Sequence, residues 1–246
     1  IWKKLVELNA KRNTTLLCLG GGVLCDMGAF AGKCYQRGMS VVLAPTSLLA
    51  MVDASIGGKN GVDFLGLKNY IGTFSEPKHI FICPEFLTTL PYPEMVNGFV
   101  EMLKHGLIAS KSHYDQVKLF FLKDNHAITP NLINDSIAIK TQIVKDDFLD
   151  LGVRRRLNFG HTICHAIEAN SPKISEENEA LSHGISVALG MVVECYISHK
   201  VVGFSADQLS EVSTVLGGLV KSVYDEIPEV DDLIPYLTRD KKNFND

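Results

Sequence analysis

Apolar residues follow two different patterns along this chain. In the first part they form short runs that end at glycine or proline: TLLCL (15–19) stops at a glycine triplet, MSVVLAP (39–45) stops at its proline, and HIFIC (79–83) precedes Pro84. Stretches with helical character lie between these runs. Short bounded runs that alternate with helices are typical of the buried strands of a parallel sheet. The first part therefore predicts an α/β domain.

Beyond about residue 85 the apolar residues recur three and four positions apart, which is the spacing of amphipathic helices. No further strand is predicted there. We therefore predict an α/β domain at 1–84 and an all-helical domain at 85–246. The predicted helices of the second domain are 93–109, 112–123, 129–149, 159–170, 183–202, 205–223 and 230–240.

Composition narrows the function classes. Hydrophobic residues make up 46% of the 246 residues, and the formal net charge is −4 without a basic or acidic tail. Nucleic acid and anionic membranes require a basic footprint, so neither is predicted as a partner. The longest apolar run, 41–50, is too short and interrupted to span a bilayer. The six cysteines form no CxxC pair, and 1–10 lack a signal-peptide cleavage site, which favours a cytoplasmic protein.

Glycine-rich turns mark one candidate ligand site. Gly20–Gly22 connect the first predicted strand to a helix, an arrangement in which backbone N–H groups can approach a phosphate. A tight turn without a ligand explains the same residues equally well. Polar side chains surround two later glycine turns, at Asp53, Lys59, Lys68 and Asn69. They indicate a ligand site or, singly, a solvated surface.

Histidines and a carboxylate mark a second candidate site. His161 and His165 are four residues apart and therefore share one face of a helix, which Asn158 and Gly160 precede. Two further helical stretches supply His183 and Glu101. Two histidines and one carboxylate from three elements are suited to catalytic zinc, with a fourth position open to substrate. The alternatives are structural histidines and a glutamate that pairs with a basic neighbour on its own helix.

Seven motifs together resemble the 3-dehydroquinate synthase family. They run in order over essentially the whole chain: GGGVLCDMGAFAGKCYQRG, APTSLLAMVDASIGGKNGVD, LKNYIGTFSEPKHI, FLTTLP, FVEMLKHGLI, LNFGHTICHAIE and LSHGISVALGM. The resemblance implies a Rossmann-like NAD-binding α/β domain, here incomplete at its N-terminus, and a helical domain that carries Zn²⁺ or Co²⁺. It also implies an active site between the two domains and a homodimer.

The resemblance assigns roles to individual positions. The metal ligands it implies are Glu101, His161 and His183. Asp26 matches a residue that binds the NAD ribose, and the Thr46–Ser47 pair matches two threonines that contact the cofactor. The full set of NAD-binding positions implied is Gly21, Gly22, Val23, Asp26, Thr46, Ser47, Leu49, Lys59, Lys68, Phe86, Leu87, Thr88 and Thr89.

The substrate implied is 3-deoxy-D-arabino-heptulosonate 7-phosphate, whose carboxylate and phosphate both need cationic partners. Arg37, across a dimer interface, and one of Lys241 and Lys242 match the phosphate-binding residues. The family's steps are alcohol oxidation, loss of phosphate, re-reduction, ring opening and aldol closure, and NAD is regenerated. The matching substrate-pocket residues are Lys104, Lys140, Arg154, Asn158, His165, Asp53 and Asn69.

Two of these residues carry more specific expectations. His165, one turn beyond a metal ligand, is placed to move protons near the substrate hydroxyl. If the helix of His161 extends back to Arg154, the guanidinium shares its face and, with Lys140, selects a carboxylated substrate.

The resemblance also implies departures and alternatives. Family members carry a further N-terminal segment with additional strands, so we expect a longer polypeptide in which the strand at 15–19 is interior. Other sugar phosphate cyclases share the scaffold but recognise no carboxylate. Glycerol-dehydrogenase-like enzymes are more distant, and a helical binding module without catalysis would require lost ligands. The agreement at Lys140, Arg154, Asn158 and His165 favours 3-dehydroquinate synthase.

Overall fold

The computed structural model describes residues 1–65, 67–122, 128–174 and 181–223. Within them the chain falls into two compact units. The first comprises 1–98 and 120–154, and the second comprises 99–119 and the residues from 155 onward. The units therefore interleave along the sequence. The domain boundary at residue 84, which marks a change in secondary-structure pattern, stays a prediction.

The first unit is built around a parallel sheet. Its strands β1 (Thr15–Gly20), β2 (Ser40–Pro45) and β5 (His79–Ile80) lie in the order β1-β2-β5, and β1 pairs with β2 in register from Thr15 opposite Ser40. The apolar runs form these strands because their side chains fill a core: Cys18, Val41 and Leu43 pack against Cys25 and Ala29 of a helix. Strands occur at all three predicted places, although β5 is shorter than its run. The expectation of a buried strand is wrong for β1, which lies at one end of the strand order with Leu17 and Leu19 exposed.

Helices and short turns connect the strands of this unit. Two helices, α1 (Trp2–Glu7) and α2 (Gly22–Cys34), flank β1 in the chain, and α5 (Pro130–Asp146) returns to the unit later. The Thr129 hydroxyl caps α5 by accepting the N–H of Leu132, as a helix N-terminus requires. The short turns are a 3-10 turn at Tyr35–Arg37, a π turn at Ala50–Ala54 and 3-10 turns at Pro84–Thr89 and Val153–Asn158.

An antiparallel hairpin in the first unit was not predicted. Its strands are β3 (Lys59–Phe64) and β4 (Leu67–Phe74), with Lys59 opposite Phe74. The sequence was expected to alternate strand and helix through this region, and that expectation is wrong here. Almost every side chain of β4 is exposed, so no alternation of buried and exposed positions marks the strand.

The second unit is helical. It contains the C-terminal part of α3 (Tyr92–Ala109), then α4 (Lys111–Leu122) up to residue 119, α6 (His161–Ile174), α7 (His183–Val202) and α8 (Ala206–Lys221). The helix predictions from 93 to 223 agree with α3 to α8 to within a few residues at each end. The helix predicted at 230–240 lies outside the described residues.

One of these helices resembles a membrane span in length and composition. α7 has a mean hydropathy of 1.5 over its most apolar window. A core helix passes the same test, and eight α7 residues, among them Ile185, Val187 and Met191, are buried. The resemblance to a span is therefore weak evidence for a membrane. The fold class, an α/β part with a parallel sheet followed by a helical part, is confirmed.

Candidate active site

The three predicted metal ligands meet in the second unit. Glu101 lies in α3, and His161 and His183 are the first residues of α6 and α7. Oε1 of Glu101 lies 3.6 Å from Nε2 of His183 and 4.0 Å from Nε2 of His161. One ligand atom from each residue lies within 4.8 Å of the other two. The sequence spacing placed them on three elements, and folding brings them together.

The second nitrogen of each imidazole has its own acceptor. Nδ1 of His161 lies 3.3 Å from the carbonyl oxygen of Phe159, and Nδ1 of His183 lies 3.1 Å from Oε1 of Glu168. A ring that donates from Nδ1 keeps the Nε2 lone pair available. Once Nε2 has lost its proton, each ring would therefore be in the tautomer that a metal ligand requires, with Nε2 on the side of Glu101.

These separations fit a divalent cation. Ligand atoms about 2.1 Å from a tetrahedral Zn²⁺ are about 3.4 Å apart. The two distances at Glu101 are slightly longer than this, so small side-chain rotations suffice to close the site. The donor set of two imidazoles and one carboxylate is that of a catalytic rather than a structural zinc site, because it leaves one coordination position open. The residues present therefore fit the metal that the resemblance implies.

Lys104 balances the charge of the buried glutamate. The side chains of Glu101 and Lys104 are 0% and 1% exposed, and the ammonium forms an ion pair with Oε2 of Glu101 one helical turn away. Burial acts to raise the pKa of Glu101, but Lys104 and the two histidines outweigh it and hold this pKa well below its usual range. The glutamate is thus ionised, with Oε1 directed at the histidines and Oε2 at the lysine.

His183 is held by charges on both sides of its ring. Burial acts to lower the pKa of His183, but hydrogen bonds with Cys164, Glu101 and Glu168 raise it well above its ordinary value. In this geometry a proton occupies the place where a cation would sit. A metal and a proton compete for the same nitrogen, so metal affinity at this centre depends on pH.

A glycine contact sets the positions of the two histidine helices. Gly160, directly before α6, has φ +80°, and its carbonyl oxygen lies so close to Gly190 of α7 that a Cβ on Gly190 would be 1.9 Å from it. Only glycine permits this approach. The start of α6 is thereby held against α7, and His161 faces His183 with ring centroids 5.4 Å apart.

Three predicted substrate residues lie in the same unit. His165 packs edge-on against His161 with ring centroids 5.8 Å apart, one turn along α6. Asn158 ends the 3-10 turn before α6, and Lys104 is the partner of Glu101. The second unit therefore contains the three predicted metal ligands together with a histidine, an amide and a lysine.

Five of the predicted cofactor residues, Gly21, Gly22, Val23, Thr46 and Ser47, follow the carboxyl ends of β1 and β2. Gly21 is the N-cap of α2, and the N–H of Thr46 donates to the carbonyl of Gly20 across the ends of β1 and β2, at 2.9 Å. Ser47 accepts a hydrogen bond from the N–H of Ala50. In open α/β sheets this edge is where ligands bind. Gly22 and the exposed Val23 begin α2 at the same edge.

A charged cluster lies in the same unit. Nζ of Lys140 donates to Oδ1 of Asp53 at 2.7 Å and to the carbonyl oxygen of Asp53 at 2.5 Å. Asp53 lies in the π turn, an irregularity that is frequent at functional sites. Burial and the negative charge of Asp53 raise the pKa of Asp26 to about 7, while Lys140 lowers it. Asp26 is therefore poised to exchange a proton near neutral pH.

Arg154 is fixed differently from the sequence-based expectation. α6 begins at His161, and Arg154 lies in the 3-10 turn before it, so no continuous helix places Arg154 on the face of the metal ligand. The cause is Gly160, whose positive φ interrupts the helix. The buried guanidinium donates to the carbonyl oxygens of Phe148 at 2.6 Å and Gly57 at 2.9 Å. Burial lowers the pKa of Arg154.

The roles of the remaining predicted residues stay predictions, and most of those in the first unit are exposed. The exposed ammonium of Lys59 pairs with Asp150, and Asn69 has φ +48° with its N–H bonded to Asp63. Lys241 and Lys242 lie outside the described residues. Of the others, Arg37 is exposed in the 3-10 turn at Tyr35–Arg37, and Lys68 is exposed in β4. Leu49 directly precedes the π turn. The last four, Phe86, Leu87, Thr88 and Thr89, belong to the 3-10 turn at Pro84–Thr89, in which only Leu87 is buried.

Sequence reasoning assigned no role to Glu168. Its carboxylate is the acceptor for His183, although it stands on a different helix. The signal was present in the spacing: Glu168 lies two turns after His161 and one turn after Cys164, on one face of α6. A carboxylate on the same face as metal-binding histidines commonly serves such a ligand from the second shell of residues around the metal.

Two protein-family models together match residues 1–243 of this chain. The model described as "3-dehydroquinate synthase N-terminal" matches residues 1–97, and that described as "3-dehydroquinate synthase C-terminal" matches residues 98–243. The 3-dehydroquinate synthase of Parabacteroides distasonis is 41% identical over 244 residues, which cover 99% of this chain and 68% of the relative. That of Pyrococcus furiosus is 42% identical over 92% of this chain and 65% of the relative.

A solved structure of another enzyme has a similar fold. The chain matches ValA, a 2-epi-5-epi-valiolone synthase from Streptomyces hygroscopicus with NAD⁺ and Zn²⁺ bound, at a TM-score of 0.83 and 25% identity. The match covers 96% of this chain and 66% of that one. The chain therefore spans about two thirds of the length of these proteins.

Proposed function

The chain belongs to the 3-dehydroquinate synthase family, and from this premise we propose that it forms part of an enzyme that converts 3-deoxy-D-arabino-heptulosonate 7-phosphate into 3-dehydroquinate and phosphate. The enzyme is a phosphate-eliminating lyase of the shikimate pathway, which supplies aromatic amino acids. The observation that carries the proposal is the meeting of Glu101, His161 and His183 in the second unit, with both Nε2 atoms directed at one carboxylate oxygen.

The proposal includes two cofactors. Bound NAD would accept and return a hydride, and bound Zn²⁺ or Co²⁺ would stabilise negative charge on a substrate oxygen. Glu101, His161 and His183 would hold the metal. Gly21, Gly22 and Thr46, with Asp26, would hold NAD at the carboxyl edge of the sheet, because backbone N–H groups at a helix start favour phosphates.

The chain's own residues would hold the substrate and move its protons. Its carboxylate and phosphate need cationic partners when they leave water. Lys104, Lys140 and Arg154 are buried cations that can meet this need, and the two protein hydrogen bonds of Arg154 fix the plane of its guanidinium. His165 would exchange protons with substrate hydroxyls. Asp53, Asn69 and Asn158 would orient them, and Arg37 with Lys241 or Lys242 would bind the phosphate.

The setting we propose is a cytoplasmic homodimer without nucleic acid or membrane partners. The negative net charge and the scattered cysteines support this setting. The dimer is proposed from the family resemblance, in which Arg37 reaches the substrate phosphate across the interface, and the exposure of Arg37 is compatible with that role.

Phosphate release tests the function. The full-length polypeptide should liberate inorganic phosphate from heptulosonate phosphate with NAD in catalytic amount, and His183→Ala should lose both bound metal and this activity. Lys200→Ala, in the last turn of the same helix, is the matched control and should keep both. Turnover of sedoheptulose 7-phosphate in place of heptulosonate phosphate would assign the enzyme to a different sugar phosphate cyclase. Full activity in a metal-free His183→Ala enzyme would refute the metal centre.

A further inference from the structure

Glu168 lies behind one of the metal ligands. Its side chain is 7% exposed, and its Oε1 is 3.1 Å from Nδ1 of His183. The opposite nitrogen of the same ring, Nε2, lies 3.6 Å from Oε1 of Glu101. The imidazole of His183 is therefore held between two carboxylates from different helices, α3 and α6. Only Glu101 is directed at the second histidine as well.

The two histidine ligands differ in the group that holds them from behind. His161 has a backbone carbonyl, that of Phe159, as its Nδ1 acceptor. His183 has a side chain, and a carboxylate is a stronger acceptor than a carbonyl. The other neighbour of this nitrogen, Sγ of Cys164, is farther away at 3.8 Å and is a weak acceptor. Glu168 is thus the side chain that determines the orientation of the His183 ring.

From this geometry we infer that Glu168 is a positioning residue for the metal centre, and the inference rests on the proposed metal site. By accepting the Nδ1 proton, Glu168 keeps the Nε2 lone pair directed at the metal. It fixes the rotation of the ring and makes the imidazole a better donor. Removal of such a partner typically weakens metal binding by about 10–100-fold.

Charge also favours a divalent cation at this centre. Glu101 and Glu168 contribute two negative charges around His183, and Lys104 contributes one positive charge. The carboxylate that Lys104 does not neutralise leaves a net negative charge that attracts a cation, either the proton on His183 or a metal ion in its place.

Metal affinity of purified full-length variants tests the inference. Co²⁺ affinity is measured by competition with a chelator, and ligand geometry is followed by the visible absorption of the bound Co²⁺. Glu168→Ala should bind about 10–100-fold more weakly than wild type. Glu168→Gln, whose amide oxygen can still accept the Nδ1 proton, should lie between the two. Cys164→Ala removes the other neighbour of the same nitrogen and should bind as wild type does.

Several outcomes would overturn the inference. If Glu168→Ala binds Co²⁺ as tightly as wild type, Glu168 has no role in metal binding. If Glu168→Ala and Glu168→Gln lose the same affinity, the orientation of the His183 ring is not the cause of the loss. Loss of the metal in Cys164→Ala would place the ion among Cys164, Glu168 and His183, which also lie within 4.8 Å of one another. Unfolding of the metal-free variants, followed by circular dichroism, separates a folding defect from weak binding. Failure of wild type to bind Co²⁺ would instead refute the proposed metal centre itself.

Discussion

Replacement of Lys104 by methionine should make the second unit depend on its metal. The substitution keeps the length and apolar stem of the side chain and removes the ammonium that pairs with Oε2 of Glu101. Because both side chains are at most 1% exposed, the glutamate would be left as a buried charge without its lysine. We expect the free energy of unfolding of the metal-free protein to fall at pH 7, and a bound divalent cation to restore much of the loss.

The magnitude follows from the burial of the pair. Breaking a buried ion pair by removing one partner costs about 3–5 kcal/mol. For a chain of this size the loss corresponds to a decrease in melting temperature of roughly 6–20 °C. The matched control is Lys118→Met in the adjacent helix, whose partner is Glu211 and whose side chain is 20% exposed. That loss should be at most about 1 kcal/mol, as for other partly exposed pairs.

Urea unfolding of wild type, Lys104→Met and Lys118→Met is followed by circular dichroism, once with chelator and once with saturating Zn²⁺. The two series measure the loss of stability and its recovery by the metal. A second variant, Lys104→Met with Glu101→Gln, should recover part of the stability without metal, because position 101 then carries no charge that lacks its lysine. The reasoning fails if metal-free Lys104→Met is no less stable than Lys118→Met. It fails equally if Zn²⁺ stabilises Lys104→Met no more than it stabilises wild type.

Two further predictions concern single positions. Because the pKa of Asp26 is raised to about 7, its protonated form is favoured in the folded chain. The free energy of unfolding should therefore fall by at most roughly 1.4 kcal/mol per unit as pH rises from about 4 to 7. Asp26→Asn should remove this fall in urea titrations at several pH values, and an unchanged slope would contradict the assigned pKa. Gly190→Ala should abolish metal binding, measured by metal analysis, because its Cβ would meet the Gly160 carbonyl oxygen at 1.9 Å. Gly217→Ala, with open space around its Cβ, should stabilise α8 slightly, and equal effects of the two substitutions would argue against the clash.

The parts of the fold that were predictable are those that bury an apolar face. Apolar runs mark β1 and β2, and the spacing of apolar residues marks most helices from α3 to α8, because these elements contribute side chains to the buried cores. The exception is α7, which is apolar around its whole circumference and is marked by its apolar content instead. The strand β4 of the hairpin carries none, since almost all of its side chains are exposed. Periodicity reports burial, and it fails for a ribbon whose side chains face water.

Some residues of the candidate site were predictable from the sequence and others were not. Glu101, His161 and His183 were predictable because their residue types carry the chemistry, wherever they stand in the chain. The setting of Arg154 was not, because a single positive φ at Gly160 separates it from the helix of His161. Glu168 was overlooked because its role depends on contact with another helix, which spacing within α6 alone cannot establish.

The ion pair of Glu101 and Lys104 has a consequence for the order of folding. Both residues lie in α3 and meet one turn apart, whereas the histidines that face Glu101 come much later in the chain. During synthesis Glu101 therefore emerges from the ribosome well before either histidine, and its first counterion is local. Local contacts form early because they close no long loop. Lys104 can accordingly neutralise the charge of Glu101 before α6, α7 and the metal are in place.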